Sequence, residues 1–515
     1  MNVPALNQKT VGLDGPDPGA VFMIGFFGHA PAPELERMVL DEKVGGVILF
    51  GRNIDSVSQT RELIGRLQEL RARVRADPLL VAVDQEGGAV NRFVEGVSVF
   101  PGNRALGETG NRDWAYRQGL EIGRQLREIG VNVNLAPVLD LYEIPGNPST
   151  GIRSLGPDPA RVADLGAALV RGFLAGGVIP VAKHFPGKGA ARVDSHFGLP
   201  VIDRGRSLLE ARELEPFRAA FAAGLPAAMV SHAAYPELER GKAVVPATFS
   251  DRVQRDLLRE SLGFRGAVVT DDLGMGAVRG SASAAARNAL MAGADLLLLC
   301  HSPQAQAEAI SSLTRDSAAD PRLRERLRDA AARLAPLRQM AARPVSGSVP
   351  ADEALPGTIA AAAVRCFRDP GGLLPIDVSR KPAVVRFLPR AGTGAEERSG
   401  SRGAGLADVL FSGGAEVSPF DIDVDPSLET ARRIESAAAG GLTVVCTYDA
   451  YRFPLQRALL KRLPRAGIVA VAVRDPRDVE LFHPDWTALA TYGHTAVSMA
   501  AAADMLLGRS AKRRG

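Results

Sequence analysis

Between residues 20 and 300 this chain repeats one unit eight times: a short apolar run, a polar turn, then an amphipathic segment. The runs lie at 20–27, 45–50, 79–83, 131–136, 178–182, 227–230, 266–270 and 294–300. Helical segments fill the gaps at 32–40, 58–74, 115–129, 159–175, 207–223, 251–262 and 283–292. Apolar runs without polar alternation read as strands buried on both faces, the pattern of a parallel sheet covered by helices. Eight such units predict a closed (β/α)8 TIM barrel. An open doubly wound sheet is the alternative. The change of composition after the eighth unit favours the barrel.

Barrel sites are assembled from strand C-terminal ends and the loops after them. Here those ends carry chemistry. Asp84 follows the third run, Lys183-His184 the fifth, Ser231-His232 the sixth, Asp271-Asp272 the seventh and His301 the eighth.

The fifth end is the most informative. It continues as Lys183-His184-Phe185-Pro186-Gly187-Lys188-Gly189-Ala190-Ala191-Arg192-Val193-Asp194-Ser195-His196. An Asp two residues before a His folds back onto it as a hydrogen-bonded dyad, one way to hold an imidazole as a general acid/base.

Asp271 is the strongest candidate nucleophile, since it leaves an apolar strand aimed into the barrel mouth. The competing reading is a cap on the next helix. We assign Asp271 the functional role and Asp272 the structural one. Asp84 is placed to accept hydrogen bonds from substrate hydroxyls, and Arg92 is close enough in sequence to return to the same pocket. Glu86 reads as a solvated turn carboxylate, and Arg153, alone in a Gly/Pro/Asn loop, reads by itself as surface. His232 and His301 fit satisfied core imidazoles at least as well as catalytic ones. His29 could line the mouth, while His483 and His494 have no evident partners. No group of residues has metal-ligand spacing. The glycine-rich pieces lack the dinucleotide fingerprint, so neither metal nor cofactor is expected.

A charged helix at 322–342 follows the eighth unit, and then the Pro/Ser/Gly-rich piece 343–350. This predicts a barrel domain over 1–342, a linker over 343–358 and a C-terminal α/β sandwich over 359–515. Strands are expected there at 383–388, 442–448 and 467–473, an exposed loop at 390–405 and a helix at 495–507.

Lys and Arg total 62 against 58 Asp and Glu, for a net charge of +4, and aromatics are 5%. That balance lacks the clustered basic and aromatic footprint of a nucleic-acid binder. No apolar run approaches a membrane span. Three cysteines in apolar segments give no disulfide framework and fit a reducing compartment. The polar stretch 1–19 lacks a signal core, so a cytoplasmic location is expected.

Together these residues resemble the β-N-acetylglucosaminidase (β-hexosaminidase) branch of glycoside hydrolase family 3. The resemblance is carried by Gly45-Gly46-Val47-Ile48-Leu49-Phe50 with Arg52-Asn53-Ile54, and by Asp84-Gln85-Glu86-Gly87-Gly88 with Arg92-Phe93. It extends through Leu135-Ala136-Pro137-Val138-Leu139-Asp140, Arg153-Ser154 and Thr270-Asp271-Asp272-Leu273 with Met275. The stretch from Lys183 to His196 is its most specific part. Weaker echoes are Gly371-Gly372-Leu373-Leu374-Pro375 and Ala488-Leu489-Ala490-Thr491-Tyr492.

The resemblance implies a retaining, cofactor-independent exo-β-N-acetylglucosaminidase acting on terminal non-reducing GlcNAc of peptidoglycan-derived fragments. Asp271 would be the nucleophile, His196 the acid/base and Asp194 its partner. Lys183, His184, Arg92, Arg153 and Asp84 would hold the sugar. Retaining glycosidases normally use two carboxylates; here an imidazole stands for one. A neutral base repels an incoming anion less than a carboxylate does, so a GlcNAc phosphorylase is a second reading. A non-catalytic sugar-binding barrel is a third, opposed by the joint presence of Asp194, His196 and Asp271. Lys188 stands where the family usually has His. A cation there either disfavours protonated His196 or sits outside the site and meets an acidic substrate group.

Overall fold

The protein is described by a computed structural model covering residues 17–75, 77–144, 147, 149–344, 351–388 and 405–509. The polar start through residue 16, most of the expected loop at 390–405 and the basic tail lie outside the described residues.

The eight apolar runs become eight parallel strands. They are β1 (Phe22–Gly25), β2 (Gly46–Leu49), β3 (Leu80–Val83), β4 (Val133–Asn134), β5 (Ile179–Phe185), β6 (Ala227–Val230), β7 (Ala267–Asp272) and β8 (Leu296–Leu299). β8 pairs back onto β1, with Ile24 opposite Leu299, and the sheet closes into a barrel. Residues such as Leu296–Leu299 are buried along their whole length because one face fills the barrel and the other packs on helices. β5 runs further than its apolar core predicts: Lys183 and His184 lie within the strand.

The outer helices follow the pattern, with two departures. The segment expected as one helix at 207–223 breaks into Arg206–Ala211 and Leu214–Ala222. At the break Glu213 turns inward to Arg204 (2.6 Å) and Arg212 reaches Glu143 (2.8 Å). The segment Arg252–Ser261 is a π-helix, burying Leu257, Leu258 and Arg259 in succession.

The second half folds into a six-stranded sheet. Its strands are β9 (Arg365–Arg368), β10 (Ala383–Leu388), β11 (Ser418–Asp423), β12 (Thr443–Thr447), β13 (Ile468–Ala472) and β14 (Thr487–Ala490). The order is β11-β10-β12-β13-β14-β9, all parallel except β9 against β14. β9 and β11 escape the sequence pattern because they are edges, where charged residues and Pro419 replace apolar ones.

The helix Leu355–Ala363 joins the two halves: Leu355 and Ile359 enter the barrel's core, Ala360 and Ala363 the second. Tyr142, from the loop after β4, donates across the junction to the Asp475 carboxylate at 2.9 Å. No helix among the described residues is long and apolar enough to cross a membrane. All three cysteines are free and buried.

Candidate active site

A cavity of about 210 Å3 opens at the C-terminal ends of the strands. Asp84, Arg92, Arg153, Lys183, His184, Lys188, His196 and Asp271 all line it. The larger cavity, about 620 Å3, lies at the opposite end of the barrel around Arg71, Arg75 and Asp77. Those charges pair with one another, and barrel chemistry occupies the other face.

The stretch after β5 is fixed from four sides. Asp140, fully buried after β4, accepts from the Lys188 backbone N–H at 2.7 Å and from the His184 backbone N–H at 3.3 Å. Tyr235 donates to Gly187 O at 2.8 Å. Asn147 donates to Lys188 O at 3.1 Å and Gly189 O at 2.7 Å. At the far end, Gly276 and Ala277 of the loop after β7 donate to the carbonyls of His196 and Ser195 at 3.2 and 3.0 Å. That last pair places His196 beside the strand that carries Asp271. Gly187 has to be glycine: its φ is +116°, and a Cβ there would lie 2.8 Å from Glu213 Cβ.

On the β3 side, two carboxylates and three cations form one cluster. Lys183 Nζ lies 2.6 Å from Asp84 and 2.7 Å from Glu86. Arg153 holds Glu86 by two hydrogen bonds, and Arg92 reaches Asp84 at 3.5 Å. Burial pulls the Glu86 pKa up, but Arg153 and Lys183 outweigh it and leave the carboxyl well below its ordinary value. Burial likewise disfavours the Lys183 cation, yet Asp84 and Glu86 raise its pKa overall. Two expectations fail here. Glu86 is not a solvated turn carboxylate and Arg153 is not on the surface; both are buried because each is the other's partner.

His184 places Nδ1 2.7 Å from Asp140 and Nε2 3.9 Å from Asp271. Burial, then the nearby Lys188 charge, hold it well below the usual imidazole pKa, so it is neutral. Its Nδ1–H then donates to Asp140, leaving the Nε2 lone pair facing the cavity.

Asp271 and Asp272 differ in their surroundings. Asp272 is a brace: its Oδ1 accepts from the backbone of Gly274 and Cys300, both at 3.0 Å. Among the described residues Asp271 Oδ1 accepts only from the Asp272 N–H, at 3.0 Å, and Asp271 lines the cavity. Burial pushes its pKa up; Lys188, then His184, His232 and His196 pull it down further, so it ends well below an ordinary Asp.

His196 Nδ1 lies 2.7 Å from Asp194 Oδ1, which also accepts the His196 backbone N–H at 3.0 Å. Burial raises the Asp194 pKa, but the His196 hydrogen bonds bring it below the ordinary value. The arrangement can move a proton at the imidazole while a carboxylate stands by.

The other histidines divide. His232 is buried, with Nδ1 2.6 Å from the Thr248 hydroxyl and Nε2 donating to Asp272 O at 2.9 Å. His301 lines the cavity beside Phe50 and Arg52. His29 is exposed and outside the cavity lining. His483 does have a partner, Asp485, at 3.5 Å. Sequence reasoning gave no role to Asp140, Glu86 or Asn147. A polar residue ending an apolar run was the available signal for Asp140; for Glu86 and Asn147 no local signal exists.

Known proteins resemble this chain over both of its halves. The model of the glycosyl hydrolase family 3 N terminal domain matches residues 7–335. A beta-hexosaminidase of Nitrosomonas eutropha is 39% identical over 289 residues, 54% of this chain and 80% of that protein. One from Xylella fastidiosa is 39% identical over 301 residues, 57% of this chain and 87% of that protein. Among solved structures, a glycoside hydrolase family 3 beta-N-acetylglucosaminidase from Paenibacillus superposes with TM-score 0.90 and 35% identity, covering 96% of this chain and 97% of that one. NagZ from Neisseria gonorrhoeae, in complex with N-trifluoroacetyl-D-glucosamine, has TM-score 0.55 and 29% identity over 67% of this chain and 98% of that one.

Proposed function

The chain belongs to glycosyl hydrolase family 3 and is a glycoside hydrolase, and from that premise we propose that it is a retaining exo-β-N-acetylglucosaminidase. The observation that carries this reading is the convergence of Asp271 with Lys183, His184, Lys188 and His196 on one small cavity. About 210 Å3 is below the ~300 Å3 where pockets for drug-sized ligands begin, and suits one sugar ring with its leaving group outside. The relatives' names support GlcNAc as that sugar.

In the proposed mechanism Asp271 attacks the anomeric carbon while protonated His196 gives its proton to the departing oxygen. A glycosyl-enzyme on Asp271 results. Neutral His196 then takes a proton from water, whose oxygen replaces Asp271 at the same carbon. Asp194 keeps the imidazole turned toward the reacting oxygen. Lys183, Arg92 and Asp84 bind sugar hydroxyls, with Glu86 and Arg153 holding Lys183 in place. His184 Nε2 accepts from a further hydroxyl.

We place the substrate among peptidoglycan-derived fragments and the protein in the cytoplasm, a setting the three free thiols support. The catalytic unit is assigned to residues 1–342, the connection to 343–358 and the second domain to 359–515.

A fluorinated N-acetylglucosaminyl donor that stalls the second step tests this directly. Peptide mass spectrometry should find the adduct on Asp271, and Asp271→Ala should abolish turnover of a nitrophenyl β-N-acetylglucosaminide. An adduct elsewhere, or no turnover by the wild type, overturns the reading.

A further inference from the structure

Lys188 is 2% exposed, yet its side chain lines the cavity. Its backbone is fully engaged, the N–H by Asp140 and the carbonyl by Asn147. Its ammonium makes no hydrogen bond or ion pair to any described residue. A buried charge is ordinarily paired, so an unpaired one beside a reacting carboxylate needs a reason. The charged groups around it are Asp271, Arg153, Asp140 and Asp194. Burial draws its proton affinity down, and Asp271 is the foremost group restoring it. Conversely, Lys188 is the foremost group drawing the Asp271 pKa down, and both side chains line the one cavity.

We propose that Lys188 acts through Asp271 as the group that speeds the second half of the reaction, by stabilising the carboxylate that must leave the anomeric carbon. This rests on Asp271 being the nucleophile. In the first step an Asp271 oxygen forms a bond to the anomeric carbon, the bond to the leaving oxygen breaks, and that oxygen receives the His196 proton. The Asp271 charge disappears, and with it the attraction to Lys188. In the second step a water oxygen bonds to the anomeric carbon, the Asp271 bond breaks with its electron pair returning to the carboxylate, and the water proton goes to His196. The charge reappears next to the ammonium. A fixed cation therefore slows formation of the intermediate and hastens its breakdown, because it favours the state in which Asp271 is ionised.

The test is pre-steady-state kinetics on a nitrophenyl β-N-acetylglucosaminide, whose good leaving group makes the first step fast. Lys188→Met and Lys188→Gln should each show a burst of nitrophenol approaching one per enzyme. In both, kcat and KM should fall together by about tenfold, the change that about one pKa unit on the leaving carboxylate produces. The ratio kcat/KM, which reports the first step, should not fall and should rise to the extent that the cation slowed that step. Lys188→Arg, which keeps the charge, should restore wild-type kinetics, and intact mass should show a larger steady-state fraction of glycosyl-enzyme in the neutral variants than in the wild type. A fall in kcat/KM matching that in kcat, without a burst, overturns the proposal, as does an arginine variant that behaves like the methionine one. If either neutral variant fails to fold, the other carries the test. Should the wild type give no adduct on Asp271, the nucleophile assignment fails; should it give one while the neutral variants show no burst, only the role of Lys188 fails.

Discussion

Arg153 clasps Glu86 through two parallel hydrogen bonds, Nε to Oε2 at 2.9 Å and a terminal nitrogen to Oε1 at 2.7 Å. Both side chains are buried, and Lys183 shares the same Oε1 at 2.7 Å. Removing the carboxylate leaves two buried cations without their common partner. Glu86→Gln should therefore lower the unfolding free energy by about 3–5 kcal/mol. The exposed pair Arg66–Glu62 has a comparable separation, 2.6 Å, but lies in water; Glu62→Gln should change stability by less than about 1 kcal/mol. Denaturant titrations of both variants check the contrast, and equal effects would refute it.

Asp194 orients His196 without touching the leaving group. With Asp194→Asn the proton donor loses its carboxylate partner, and kcat/KM should fall by about 100-fold or more on a disaccharide. A nitrophenyl leaving group needs little protonation, so its kcat/KM should fall much less. Comparing the two substrates on one variant separates lost acid catalysis from general damage, which would lower both alike.

Asn147 ties two loops together, donating to Lys188 O and Gly189 O while its Oδ1 accepts from Ser149 N (2.8 Å) and Thr150 N (2.9 Å). Asn147→Ala removes the side-chain partner of Gly189 O, Ser149 N and Thr150 N, each worth about 1–3 kcal/mol when buried unpaired, while Lys188 O keeps the Ala191 N–H at 3.0 Å. Relaxation will recover part of this. We expect a lowered melting temperature and faster protease cleavage between Lys188 and His196, read by peptide mapping. Unchanged cleavage would mean that Asp140 and Tyr235 suffice to hold the stretch.

Burial pushes the Asp478 carboxyl up to about 7, despite hydrogen bonds from the backbones of Ala450 and Tyr451. The folded state then holds a proton that the unfolded state has released, so this group's stabilising contribution is complete below the ordinary carboxyl pKa. It is lost as pH rises through about 7. The buried imidazoles His184, His232 and His494, all depressed, act in the opposite direction. The quantity to measure is therefore the stability difference between the wild type and Asp478→Asn. Between pH 5 and 7 it should shift against the wild type by on the order of 2 kcal/mol. A difference independent of pH would show that Asp478 stays ionised throughout.

The barrel was legible in the sequence because strand and helix periodicities are local. Eight apolar runs announced eight buried strands, and each charged or imidazole residue ending a run announced a group at the barrel mouth. Asp84, Lys183, His184 and Asp271 were found that way, and the Asp194–His196 pair needs only two residues of chain. β9 and β11 were hidden because an edge strand does not have to be apolar, and β14 was missed as well, its four residues being too short a run to stand out.

What the sequence alone determined, then, is the architecture and the cast at the strand ends. Tertiary structure decided which charges are paired. Glu86 meets Arg153 across 67 residues of chain, and His184 meets Asp140 across 44. No local pattern records such encounters. A solvated carboxylate and one buried between two cations look identical in sequence, because the difference is made by which strand ends the closed barrel brings together. The same holds for Lys188: its residue type shows a cation in a loop, and only the fold buries it in the cavity that Asp271 lines, with no ion pair to any described residue.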